Sequence, residues 1–134
     1  MKTKTCKLTG VVLDWAVAKC EGLDLFESEG WVYLFESEGW DYYQENGKRV
    51  PYRPSTKWEQ GGPIIEREGI EVLCNLTLAQ AKAFKQANPD WFACRKQRRS
   101  DHFHSLTPLI AAMRCYVTSK LGTEIDVPEE LVDL

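Results

Sequence analysis

At 134 residues, with 43% hydrophobic and 28% charged side chains, the chain has room for one soluble domain with a modest core. No apolar run reaches the roughly 18–20 residues of a membrane span, which excludes a membrane partner from the reading. A net charge of −3 provides no broad positive face, so nucleic acid is not an expected partner.

That charge is unevenly spread. Residues 24–46 hold seven acidic side chains and residues 123–134 hold five, with no Lys or Arg in either stretch. Between them lies a basic cluster of Arg95, Lys96, Arg98 and Arg99. The five cysteines are odd in number, scattered and without C-x-x-C spacing, which fits free thiols in a reducing cytoplasm better than a zinc or redox site.

The opening residues read as an amphipathic helix rather than a signal peptide, because Asp14 and Lys19 interrupt the apolar patch. Thr5 or Thr9 can cap it, and Leu13, Ala16, Val17 and Cys20 form one buried stripe. Asp14 and Lys19 are expected to face water, and Gly22 to end the helix.

From Leu23 to Tyr52 aromatic and β-branched residues are punctuated by Ser-Glu-Gly, Ser-Glu-Gly and Asn46-Gly47, which predicts strands near 23–28, 31–37, 40–45 and 48–52 in an antiparallel meander. LFESEGWVY at residues 25–33 is followed at once by LFESEGWDY at residues 34–42, differing only at Val32 and Asp41. Each copy parses as one strand plus one turn. A single added antiparallel strand would reverse everything downstream. The extra unit is therefore expected to lengthen one hairpin by about four residues per arm or to loop out, with Trp31 and Trp40 on opposite faces and Asp41 in water. The repeat reads as a tandem duplication tolerated at a hairpin tip.

Thr56 and Glu59 fit a capping box, predicting a short helix from Lys57 that breaks at Gly61-Gly62. Pro63 would start a second short helix ended by Gly69. A strand is predicted at Ile70 to Cys74, a helix at Thr77 to Ala87, and a strand at Trp91 to Arg95. Arg98, Arg99, His102 and His104, leading into Thr107, could cluster around an anion at the start of the last helix, but a solvated loop over this stretch is the expected reading; on a strand the two histidines would share a face, and without a third ligand they make a weak metal signal. Thr107 and Pro108 then open a helix with the stripe Ile110, Met113, Val117 and Leu121, closed by Gly122. Val127 or Leu131 would pin a short acidic tail whose end frays. Helices at both ends of a mainly antiparallel β-sheet predict a single-domain α+β sandwich.

YRPSTKWEQGGPIIEREGI at residues 52–70, TPLIAAMRCYVTSKLG at residues 107–122 and LTGVVLDWAVAKCEG at residues 8–22 resemble the NinX-type family of lambdoid bacteriophage proteins. The repeat and the segment 75–104 depart from that pattern. The resemblance implies phage origin and an accessory role in the cytoplasm of an infected bacterium, and it carries over no catalytic residue.

The candidate ligand site is Tyr52 to Pro63. Ser55 and Thr56 bring hydroxyls, Trp58 an aromatic plate, Gln60 an amide, and Gly61-Gly62 a place where backbone can approach a ligand. Arg53, Lys57 or Arg67 would supply positive charge, with Thr107 and Arg114 as further members. Nearby helix starts present free N–H groups to an anion. The competing reading is capping, tight turns and a core tryptophan. No Walker-type lysine or G-x-G-x-x-G is present, and neither a cofactor nor a catalytic constellation is expected.

The phage resemblance, taken with the Ser/Thr, Trp and Gly-Gly loop, predicts a non-enzymatic phage accessory protein, a homo-oligomer, that binds a small anionic or nucleotide ligand as a sponge for a defence signal. The alternative is an interaction module whose acidic aromatic hairpin, with Trp31 and Trp40 as anchors, binds a host or phage protein.

Overall fold

The computed structural model describes residues 1–22, 32–36, 39–43, 49–74 and 91–132. The strand expected at 23–28, the helix expected at 77–87 and Trp31 lie outside these residues, as does the side chain of every residue in 32–50. In chain order the elements are β1 (Lys2–Lys4), a 3-10 turn (Thr5–Lys7), α1 (Gly10–Cys20), β2 (Val32–Glu36), β3 (Gly39–Tyr43), β4 (Arg49–Tyr52) and α2 (Trp58–Glu68). They continue with β5 (Ile70–Cys74), β6 (Trp91–Arg95), β7 (Arg98–Ser105), α3 (Pro108–Leu121), β8 (Glu124–Asp126) and α4 (Glu129–Val132). The expected α+β class holds, although the described strands divide among three antiparallel sheets, β1–β8, β2–β3–β4 and β5–β6–β7.

The hub is α3. It packs on all three strands of the β5–β6–β7 sheet and also touches α1, α2, β8 and the 3-10 turn. The Thr107 hydroxyl accepts from the Ile110 N–H at 3.3 Å and Pro108 occupies the first turn, as the sequence predicts. The expected single stripe is too narrow. Leu109, Ala111, Ala112, Met113, Cys115, Tyr116 and Val117 are all buried, because the helix is enclosed by neighbours on several sides.

In α1 the run Leu13 to Ala18 is likewise buried throughout. Asp14, expected from the sequence to face water, is therefore only 5% exposed, because neighbours enclose α1 on that side as well. Neither proposed cap acts as one. Thr9 sits at the N-cap position without a side-chain bond. Thr5 is fully buried and donates to the Gly122 carbonyl at 2.8 Å.

One continuous α2 replaces the two short helices. The Lys57 N-cap makes no side-chain bond, so the capping box is not formed. The helix runs through Gly61-Gly62-Pro63 for two local reasons. A Cβ on Gly61 would collide with the Pro54 carbonyl and come within 2.6 Å of Leu109 Cδ1, so glycine is what lets α2 close on α3. Gly62 precedes Pro63 and has no Cβ to oppose the proline ring in a helical conformation. Gly69 ends α2 at φ 64°, in the left-handed region.

The β2–β3 hairpin clarifies the repeat. Leu34 faces Asp41, Phe35 faces Trp40 and Glu36 faces Gly39, all from the second copy. One copy is thus a whole hairpin rather than a strand plus a turn. Its second arm pairs onward with β4, placing Trp40 opposite Tyr52.

The acidic tail is tied to the basic N-terminus. Lys2 pairs with Asp126 and Lys4 with Glu124 in register, and the Met1 amino group donates to the Val127 carbonyl at 3.0 Å. Val127 and Leu131 are both buried, as expected. All five cysteines are free.

Candidate functional site

Most of the residues predicted between Tyr52 and Gly62 carry structural contacts. Tyr52 is buried in the core. Ser55 is 1% exposed, and its N–H donates to Asp14 Oδ1 at 2.9 Å. Gln60 spends both ends of its amide on the preceding chain, accepting from the Arg53 N–H and donating to the Pro51 carbonyl, each at 2.6 Å. The half-buried Arg53 places its charge near Asp14. Thr56 is exposed, its hydroxyl 3.5 Å from the Arg53 carbonyl. Trp58 is 55% exposed at the first position of α2. Gly61 is filled by packing, while Gly62 has open space beside it.

The less central candidates also have structural partners. Arg67 forks onto both carboxylate oxygens of Glu21, at 3.1 and 2.9 Å, and reaches the Tyr116 hydroxyl, tying the ends of α1 and α2 to α3. Arg114 donates to the Leu8 and His104 carbonyls at 2.8 and 2.7 Å, clamping the approach to α1 against the end of β7. Thr107 caps α3.

A cavity of about 340 Å³ forms where the β6–β7 hairpin meets the C-terminal end of α3. The hairpin contributes Arg95, Arg98 and Asp101, the end of α3 contributes Thr118 and Ser119, and Thr123 follows just beyond it. Phe103 and Cys115 supply apolar lining. A register shift between Ala93 and Arg95 brings Arg95 directly opposite Arg98. Directly opposed residues share a sheet face, and like charges so placed repel. The Arg95 Nε is buried and has no hydrogen-bond partner. Arg98 is largely exposed and rests on Asp101 at 3.2 Å. Burial pushes the Cys115 thiol up to about 12, which makes it a packing group rather than a nucleophile.

The basic cluster therefore divides. Arg99 is bound to Glu71 through contacts of 2.6 to 3.1 Å, which lowers the Glu71 carboxyl below its usual range. Arg95 and Arg98 face the cavity. Residues 98–105 form a strand instead of the expected loop, held by pairing of Ala93 with Phe103 and Phe92 with His104. His102 and His104 do share a face, where both rings pack near Phe92 at 4.7 and 6.0 Å. Among the described residues, no group of three or more His, Cys, Asp or Glu could hold a metal ion.

Reading 98–104 as a loop concealed the Arg95–Arg98 pairing and the contributions of Asp101, Thr118, Ser119 and Thr123. The usable signal was Arg-Lys-Gln-Arg, a two-residue turn that sets two arginines face to face.

The molecule is a small α+β domain built on the buried helix α3, with an arginine-lined cavity at that helix's end. The chain belongs to a bacteriophage family, described as Bacteriophage P22, NinX, which matches residues 4–120. That span includes both the repeat and the segment 75–104. No curated protein sequence gives a significant match. Among the described residues, no helix is long and apolar enough to cross a membrane.

Proposed function

We propose that this phage accessory protein is non-enzymatic and binds a small anionic ligand of nucleotide type, acting as a sponge for a defence signal in the cytoplasm of the infected host. The observation that carries this reading is the Arg95–Arg98 pair, two like charges opposed across a tight turn beside a cavity. Unliganded, that arrangement is unfavourable, and an anion between the two guanidiniums would reverse its sign. The buried, unpartnered Arg95 Nε points the same way. The site proposed here is the Arg95–Arg98 cavity rather than Tyr52 to Gly62, where Tyr52, Gln60 and Gly61 are engaged in packing or local bonds while Thr56 and Trp58 are exposed. A homo-oligomer, in which a neighbouring subunit covers a bound ligand, completes the reading.

Calorimetry against linear and cyclic nucleotides and ADP-ribose compounds tests it, with light scattering for the assembly. A nucleotide should bind the wild type and be lost in Arg95→Met. A folded wild type that gives no heat with any of them overturns the proposal.

A further inference from the structure

We infer that the cavity is matched to a ligand with two unlike ends, a phosphorylated sugar with its phosphate on Arg95 and Arg98 and its hydroxyls donating to Ser119, Thr118 and Asp101. This rests on the proposed function and specifies the chemistry of the same site.

The argument is an inventory of donors and acceptors. Arginine only donates; Arg98 already rests on Asp101 at 3.2 Å, but the Arg95 Nε has no acceptor, and two planar forks suit the oxygens of a phosphate. The wall at the end of α3 has the opposite character. The Thr5 hydroxyl donates to the Gly122 carbonyl at 2.8 Å, so it can only accept from Thr118, whose hydroxyl lies 2.7 Å away. The Ser119 hydroxyl donates to the Tyr116 carbonyl at 2.7 Å. Carbonyls cannot donate, so these directions are forced. Thr118 and Ser119 have each spent their one hydroxyl proton and retain lone pairs only.

Asp101, when ionised, also only accepts. The final turn of α3 adds the negative end of the helix dipole. A bare anion filling the cavity would set its oxygens against these lone pairs. A phosphate ester carrying hydroxyls satisfies both walls, since each hydroxyl brings the proton the α3 side lacks. A volume of about 340 Å³ suits a sugar phosphate rather than a large dinucleotide.

The test titrates the full chain with ribose 5-phosphate, ethyl phosphate and inorganic phosphate. Ribose 5-phosphate should bind at least about tenfold more tightly than ethyl phosphate, a margin of one or two hydrogen bonds. That margin should shrink in Ser119→Ala while ethyl phosphate affinity stays constant. Arg95→Met, with an unchanged circular dichroism spectrum, should lose all three. Equal binding of ribose 5-phosphate and ethyl phosphate, still dependent on Arg95, overturns this inference and leaves the anionic-ligand reading intact. Failure of all three to bind the folded wild type, while a nucleotide still binds, overturns this inference alone, and failure of the nucleotides as well overturns both. A margin unchanged by Ser119→Ala and by Asp101→Asn removes the assignment of the acceptor wall.

Discussion

The carboxylate of Asp14, within α1, accepts the Ser55 backbone N–H at 2.9 Å in a site where both residues are almost fully buried. It fastens the loop between β4 and α2 to the core. Burial pushes the Asp14 carboxyl up to about 6 from 3.8, opposed by its bonding to Ser55 and by the charge of Arg53. A raised carboxyl pKa means that the folded state binds the proton more tightly than the unfolded chain. Its contribution to stability therefore falls as pH rises from about 4 to about 6 and stays low at neutral pH. Asp14→Asn keeps an oxygen for the Ser55 N–H without an ionisation penalty. It should raise neutral-pH stability by roughly 2–3 kcal/mol, and the gain should vanish toward pH 4. Asp14→Leu should destabilise, by leaving the N–H unpaired. Denaturant melts of the three proteins across pH 4–8 check this, and a gain that persists at pH 4 refutes it.

The two adjacent glycines of α2 should behave differently. Gly61→Ala drives a methyl group into the Pro54 carbonyl and Leu109, and should destabilise by roughly 1–3 kcal/mol. At Gly62 the space is open, and the obstacle is Pro63. In a Pro63→Ala background, Gly62→Ala should then stabilise by up to about 1 kcal/mol, while Gly61→Ala should remain harmful. Thermal melts of the variants read this directly. Equal effects at the two positions would mean that Gly61 is not set by packing against α3.

What was legible in the sequence was local. Thr107-Pro108 and Gly122 bound α3 correctly because caps depend only on neighbouring residues. Ile70–Cys74 and Trp91–Arg95 were legible as strands from short apolar runs between turn residues. Non-local facts were hidden. Asp14 reads as a solvent residue until Ser55 is known to lie over it. Gly61-Gly62-Pro63 reads as a helix break until the Pro54 carbonyl is seen to require the missing Cβ. The candidate site failed to show for the same reason. Arg95 and Thr118 meet only through the packing of a hairpin on a helix, and nothing in their spacing announces it.

Because one repeat unit forms a complete hairpin whose second arm pairs with β4, deleting residues 34–42 should leave the sheet intact. The first copy would then precede Tyr43 directly. Trp31 would take the place of Trp40 opposite Tyr52, and Val32 that of Asp41 opposite Pro51. The far-UV spectrum and melting temperature should change little, and affinity at the Arg95 cavity not at all. Loss of fold would mean that both copies are structural. A folded deletion variant that fails to capture a host protein retained by the wild type would instead support the interaction reading of the acidic hairpin.

Arg95 offers a test that separates binding from scaffolding by sign. A scaffold arginine such as Arg114, which holds the Leu8 and His104 carbonyls, should destabilise the protein when replaced by methionine. Arg95 has a buried Nε without a partner and a like charge opposite it. Its replacement by methionine relieves both and should raise the melting temperature of the unliganded protein, by an amount equivalent to about 1 kcal/mol. Added phosphate should reverse the order. A ligand that binds only the folded state stabilises it by mass action, so the wild type should gain with phosphate concentration and Arg95→Met should not. The melting curves of the two proteins should therefore cross as phosphate is raised. Lower stability of Arg95→Met without phosphate, with parallel responses to it, would make Arg95 a structural residue and remove the cavity as the binding site.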